Sequence, residues 1–215
     1  MVREASFQLL LSLRKKADDV DHTVRIDYFV QRLMSSSGSS ARILVAHHNG
    51  VAWLRVEGRG SFQNSCELKD FARGRLDAGD SIVLVDLEEC TYMDSTFMGT
   101  LTGIACRLES ESGKQLEIVN PSPRARELLE NLGLDQILRI HQVDEGVNGM
   151  DWASIRGVMA EQLFPESFTD IGEAKLKKAE VLLEAHKALS ACNSKNDVRF
   201  RDVILLVEKE LQAQH

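Results

Sequence analysis

The sequence predicts an α/β fold, one mixed sheet with helices packed on it, and three observations carry that prediction. The segment His47-His48-Asn49-Gly50 sits between two short apolar runs, and Asn-Gly in that setting is a strong hairpin signal. The run Ile82, Val83, Leu84, Val85, Leu87 is almost continuously apolar, as strands buried on both faces of a sheet are. From there on, helix-period segments alternate with short apolar runs, the pattern of helices packed on a sheet.

The elements follow in order. Ile43 to Ala46 reads as the first strand and Val51 to Val56 as its hairpin partner, with Gly58 and Gly60 punctuating the end. Ser61 can cap a helix whose apolar positions include Phe62, Cys66, Phe71 and Leu76, and Gly79 ends it. The buried strand 82–87 contains one exception, Asp86. After a short spacer, Asp94-Ser95 opens an amphipathic helix in which Phe97, Met98, Leu101, Ile104, Ala105 and Leu108 recur near a 3.6 period. Gly113 ends that segment, and Leu116, Ile118 and Val119 suggest another strand. Pro121 and Pro123 mark a loop. Ala125, Leu128, Leu129 and Leu132 then share one helix face, with Gly133 just beyond it. Ile137, Leu138 and Ile140 form a candidate edge strand.

The flanks differ in character, which gives three regions: an arm and linker over 1–40, the sheet domain over 41–145 and an extension over 146–215. The arm ends in a Ser/Gly run, Ser35 to Ser40, of linker composition. Two readings of it stay open: a short helical arm docked on the body or on a partner, or a segment preceding a true start at Met34, not part of the native protein. Within the extension, Gly146, Gly149, Trp152, Phe164, Pro165 and Phe168 fall in a stretch without a clear period. Glu173 to Leu189 reads as a helix, Asn193 to Asn196 as a break, and Asp197 to Leu211 as a second helix. The second helix carries Phe200, Val203, Val207 and Leu211 along one stripe. Such a helical hairpin should bury its stripe on the sheet domain or on a second subunit.

Composition narrows the function classes. The 215 residues carry a formal net charge of -7 and no Lys/Arg run, so the phosphate-neutralising surface of a nucleic-acid binder is not announced. Cys66, Cys90, Cys106 and Cys192 lack zinc-type spacing and read as reduced thiols. No apolar run approaches the roughly 20 residues of a membrane span. Arg14, Lys15 and Lys16 follow the N-terminal apolar stretch instead of preceding it, the reverse of a signal peptide. A cytoplasmic location is expected. His47 and His48 are adjacent, so on a strand they point to opposite faces, and a third metal ligand is not evident. Gly58 and Gly60 lack the rest of a dinucleotide fingerprint, and Glu88-Glu89 fall on an expected exposed loop. No Ser/His/Asp set is recognisable in an order known for hydrolases. We expect no enzyme, no cofactor and no metal.

The segment VDLEECTYMDSTFMGTL resembles the signature of STAS domains, particularly the bacterial anti-sigma-factor antagonists. An apolar strand ends in Asp86-Leu87, a spacer leads to Tyr92-Met93, and Asp94-Ser95-Thr96 opens a helix containing Gly99. The later text KQLEIVNPSPRARELLENLGLDQILRI is similar to the family's next strand, loop and Leu-Gly-Leu helix ending. The likeness covers roughly residues 41 to 141. It implies a STAS-like mixed sheet, with Ser95 as the acceptor of a phosphoryl group from a partner serine kinase that doubles as the anti-sigma factor. Asp94, Ser95, Thr96 and Met98 are then the implied partner-binding residues, a PP2C-type phosphatase the enzyme that resets the switch, and a homodimer is compatible. The family often has Gly-Leu-Gly after the Ser pair; here Phe97-Met98-Gly99 loses the first Gly, so the partner surface differs.

The residues support such a role independently. A helix start leaves backbone N–H groups unpaired, and these, with the helix dipole, favour an anion. Phosphorylation would add about -1.5 to -2 charges beside Asp94. Against this stands the plain alternative that Asp94 or Ser95 only caps a helix. A second function class keeps the fold and drops the switch: a subunit or scaffold of a larger assembly, in lipid transport or of the stressosome type, in which Ser95 is never phosphorylated.

Overall fold

A computed structural model of the chain describes residues 42–48, 50–110, 113–142, 160–161 and 171–213. The N-terminal arm and most of 143–170 lie outside these. The sheet domain opens with β1 (Arg42–His48) and β2 (Val51–Gly60), antiparallel in the register Ile43↔Val56 to His48↔Val51. Helix α1 (Phe62–Asp77) follows, then β3 (Ile82–Asp86), β4 (Cys90–Met93), α2 (Ser95–Glu109), β5 (Gln115–Val119), α3 (Pro123–Glu130) and β6 (Arg139–His141). A short β7 (Ala160–Glu161) returns to the outer edge of β1. Two long helices close the chain, α4 (Ile171–Cys192) and α5 (Ser194–Gln212).

The sheet order is β6-β5-β3-β2-β1-β7, parallel from β2 through β6 and antiparallel at β1 and β7. It is the mixed sheet that the alternating pattern predicts. Successive strand residues point to opposite faces. Ala52, Leu54, Val56, Val83, Val85, Leu116 and Ile118 therefore share one face and build the main core with α1, α2 and α3. Val51, Trp53, Leu84 and Val119 make a smaller cluster on the other face. Helix α4 lies on α2 and α1 as a third layer, and α5 packs on α4. Leu189 of α4 and Phe200 of α5 belong to the main core cluster, so the helical hairpin shares the core of the sheet domain.

Several local expectations need correction. Gly60 is the last residue of β2, but Gly58 does not end the strand. Gly58 takes φ +82 at a register shift, a bulge that only a residue without Cβ adopts at ease, and the strand runs on through Gly60. The extra length pairs with β4, which the sequence presents merely as a spacer. The third helix stops at Glu130, and Leu132 lies in the connection to a 3-10 turn, Leu134–Gln136. The break between the last two helices is one residue, Asn193, whose side chain accepts from the Asn196 N–H and caps α5. Of the expected α5 stripe, Phe200 and Val207 are buried while Val203 lies at the surface.

Candidate functional site

The site grows out of the β4–α2 junction. Asp94 keeps an extended backbone, φ -90 and ψ 172, and is the N-cap of α2. Its Oδ1 accepts the Phe97 N–H at 2.9 Å, and its Oδ2 accepts the Phe62 N–H at 2.7 Å. One carboxylate thus satisfies an orphan donor at the start of each of two helices, α1 and α2. The Asp94 N–H donates to the Gly60 carbonyl at 3.0 Å, which ties the junction to the end of β2. Gly60 itself is held flat against the Phe97 ring: a Cβ there would come within 2.6 Å of it. The cap is therefore Asp94, and Ser95 is the first helical residue.

Ser95 is half-buried, and its hydroxyl meets a group that sequence order gives no hint of. Its Oγ lies 3.1 Å from Nε2 of His186, on α4. The other ring nitrogen, Nδ1, is 2.8 Å from the Leu182 carbonyl. A carbonyl only accepts, so Nδ1 carries a proton. In the neutral ring Nε2 is then the acceptor, and Ser95 donates its hydroxyl hydrogen to it. His186 is only 4% exposed and meets the Phe200 ring edge-on at a centroid distance of 5.1 Å.

Helix α4 comes close to α2 because Gly99 and Gly103 carry no side chain where Ala185 and Ala188 approach. A Cβ on Gly99 would meet the Ala185 carbonyl oxygen at 2.3 Å, and one on Gly103 would stand 3.7 Å from Ala188 Cβ. Ion pairs link Lys69 to Glu184, and Lys177 to Asp70 at 2.5 Å, between α1 and α4. At the far end of α4, Asn193 and Asn196 both donate to the Leu132 carbonyl, at 3.1 and 2.9 Å. A cleft of about 250 Å³ runs between α1, α2 and α4, with Lys69, Arg73, Arg107 and Lys114 on its walls; Ser95 and His186 do not line it.

The sequence-predicted residues fall as follows. Asp94 and Ser95 stand together at the helix start. Thr96 and Met98, expected on a partner surface, are buried. Asp86 is fully buried, with Oδ1 accepting the Glu88 N–H at 3.0 Å across the strand end. Glu88 and Glu89 are exposed on the loop. His47 pairs with Asp80 at 3.9 Å, and the side chain of His48 lies outside the described residues. Among the described residues no three His, Cys, Asp or Glu converge as metal ligands, and no helix is long and apolar enough to cross a membrane. The four cysteines are free thiols, and burial pushes Cys192 up to about 11. His186 is the residue that sequence reading missed. Its signal was a lone imidazole beside Val181, Ala185 and Leu189 on the buried side of an otherwise charged helix.

Strand order, helices packed on the main core face and an Asp-capped helix start directly after β4 define the class: a small mixed-sheet α/β domain. Residues 43–140 match the family model described as "Mlab, STAS domain". Among solved structures, the chain is similar to the unphosphorylated form of the anti-sigma factor antagonist SpoIIAA at 19% identity, covering 54% of this chain and 97% of that one, TM-score 0.43. It is similar to an anti-sigma factor antagonist from Mycobacterium paratuberculosis at 18% identity, covering 57% and 99%, TM-score 0.43. A sulfate transporter family protein from Wolinella succinogenes matches at 20% identity, covering 51% and 87%, TM-score 0.38. No curated protein matches.

Proposed function

We propose that this chain is a protein-binding phosphoswitch of the anti-sigma-factor-antagonist kind, with Ser95 as the phosphoacceptor. The observation that carries the reading is the place of Ser95. It is the first residue of α2, directly after a cap whose carboxylate is already committed to two backbone N–H groups. A phosphoryl group on Oγ would lie at the positive end of the helix dipole and next to a fixed negative charge, so its arrival changes both local field and shape. The partner is a serine kinase that also acts as an anti-sigma factor, and a PP2C-type phosphatase reverses the modification. In this reading Ser95 is another enzyme's substrate, and the chain itself works in the cytoplasm without a cofactor.

The test has two parts. Incubation with the cognate kinase, followed by intact mass and peptide mapping, should place one phosphate on Ser95; label on another residue with Ser95 unmodified would sink the assignment. Calorimetric titration should show Ser95→Ala close to wild type and Ser95→Asp weaker. Two like charges about 5 Å apart repel by up to roughly 3 kcal/mol at an effective dielectric near 20, which is about 100-fold in affinity. Because Asp94 is the cap, Ser95→Ala loses only the His186 hydrogen bond, about 1 kcal/mol. A second reading, the unphosphorylated scaffold or transport subunit, draws on that same bond: a hydroxyl held by a buried imidazole has a structural task already. Equal affinity of Ser95→Asp and wild type for the kinase would favour it.

A further inference from the structure

Helix α4 touches α2 along a seam that only small residues permit. Gly99 lies under the Ala185 carbonyl and Gly103 under Ala188. At the Ser95 end of the seam the hydroxyl is held by His186, a side chain shut away from water. A kinase must seat the acceptor serine in its own active site, with the hydroxyl free to attack and several flanking residues in its grip. Neither condition holds while Nε2 accepts the hydroxyl hydrogen and α4 lies across the next two turns of α2. We propose that the C-terminal helix pair is a built-in occupant of the switch face, so that kinase and partner reach Ser95 only when α4 lifts away. This rests on the phosphoswitch reading for its consequence but not for its geometry.

The attachments of α4 differ along its length: Leu189, near the anchored end, is buried in the main core, and the α1 side is held by weaker contacts. On its α1 side they are ion pairs between side chains that are themselves one third to two thirds exposed, a class of contact that contributes little each. The anchored end is at Asn193 and Asn196, beyond the seam. The same contacts describe what an external partner must bring: a helix with small residues opposite Gly99 and Gly103, and a hydrogen-bond acceptor opposite Ser95.

The first measurement needs no kinase. In a Ser95→Cys chain, N-ethylmaleimide labelling with peptide mapping compares the thiol at position 95 with the exposed native Cys106. Labelling at 95 should be roughly tenfold slower or more, because only the open fraction reacts. Adding Ala185→Leu, which puts bulk against Gly99 and leaves the α2 surface intact, should remove most of that protection. Labelling at 95 as fast as at Cys106 in the parent chain would overturn the proposal.

The second measurement works in the opposite direction, so that a poorly folded Ala185→Leu chain does not decide the matter. Gly103→Cys with Ala188→Cys, in a Cys106→Ser, Cys192→Ser background, places two Cβ atoms 3.7 Å apart. That is inside the roughly 3.5–4.5 Å range of disulfides. Oxidised, this chain should show hydrogen exchange in the first two turns of α2 slowed by about tenfold or more, and kinase transfer to Ser95 abolished; reduction should restore both. A formed disulfide with unchanged exchange and unchanged transfer would overturn the proposal. Protection and its release without phosphorylation by any kinase would retire the phosphoswitch reading and leave the occupant in place.

Discussion

The sheet side of α2 and its α4 side solve the same packing problem in different ways. Toward the sheet, α2 presents large residues: Phe97, Leu101 and Leu108, all essentially buried, fill the space over β2, β3 and β5. Toward α4 it presents Ser95, Gly99 and Gly103, and the helices approach backbone to backbone. The first contact draws on apolar area, where each large side chain removed from water contributes about 1.5–3 kcal/mol. The second rests on close fit and one polar contact, so a methyl group added at Gly99 disturbs it. A fixed core and a separable cover can therefore share one helix.

Substitutions can break or sharpen this contrast. Phe97→Ala should cost most, about 3–5 kcal/mol, since it empties a fully buried site between Gly60 and the core. Chemical denaturation should show the midpoint shift; a loss below 1 kcal/mol would mean that the sheet side is not the rigid one. Leu189→Ala comes next, at about 2–4 kcal/mol, because Leu189 is fully buried in the same cluster although it sits on α4. If the cover separates before the sheet domain unfolds, this loss appears as an early, separate transition in hydrogen exchange. A single cooperative loss would mean that α4 and the sheet domain unfold as one unit.

Asp94→Ala removes the acceptor of two helix-start N–H groups and should cost about 1–2 kcal/mol in thermal unfolding. A neutral outcome would show that water replaces both bonds. Leu206→Gln should cost least, within about 0.5 kcal/mol, because Leu206 is 60% exposed on the outer side of α5. A large loss there would reveal a contact that the described residues do not show.

The order of strands and helices was readable from the sequence because a strand buried on both faces needs an apolar run, which β3 shows plainly, and because Leu116, Ile118 and Val119 still mark β5 although Glu117 interrupts it. Strand β4 was not readable. Cys90-Thr91-Tyr92-Met93 has no long apolar run, and its partner residues lie beyond a glycine bulge that looks like a strand end. Asp94 and Ser95 could be found because helix starts have a local chemistry. The Ser95–His186 contact could not, since 91 residues separate its members and nothing local sets their meeting. Gly99 and Gly103, four apart on one helix face, were the available hint that something approaches α2 closely, but they name no occupant.

The single-residue joint at Asn193 has a mechanical consequence. Asn193 and Asn196 grip one carbonyl, that of Leu132, and so make a fulcrum at the far end of α4. His186 stands seven residues back along the helix, about 10 Å at 1.5 Å per residue. A tilt of about 15–20° at the fulcrum moves the imidazole by about 3 Å, the width of a water molecule, over that lever arm. Glu184 and Lys177 stand farther out on the same lever, so their ion pairs to α1 part along with the Ser95 contact, while the joint itself has hardly turned.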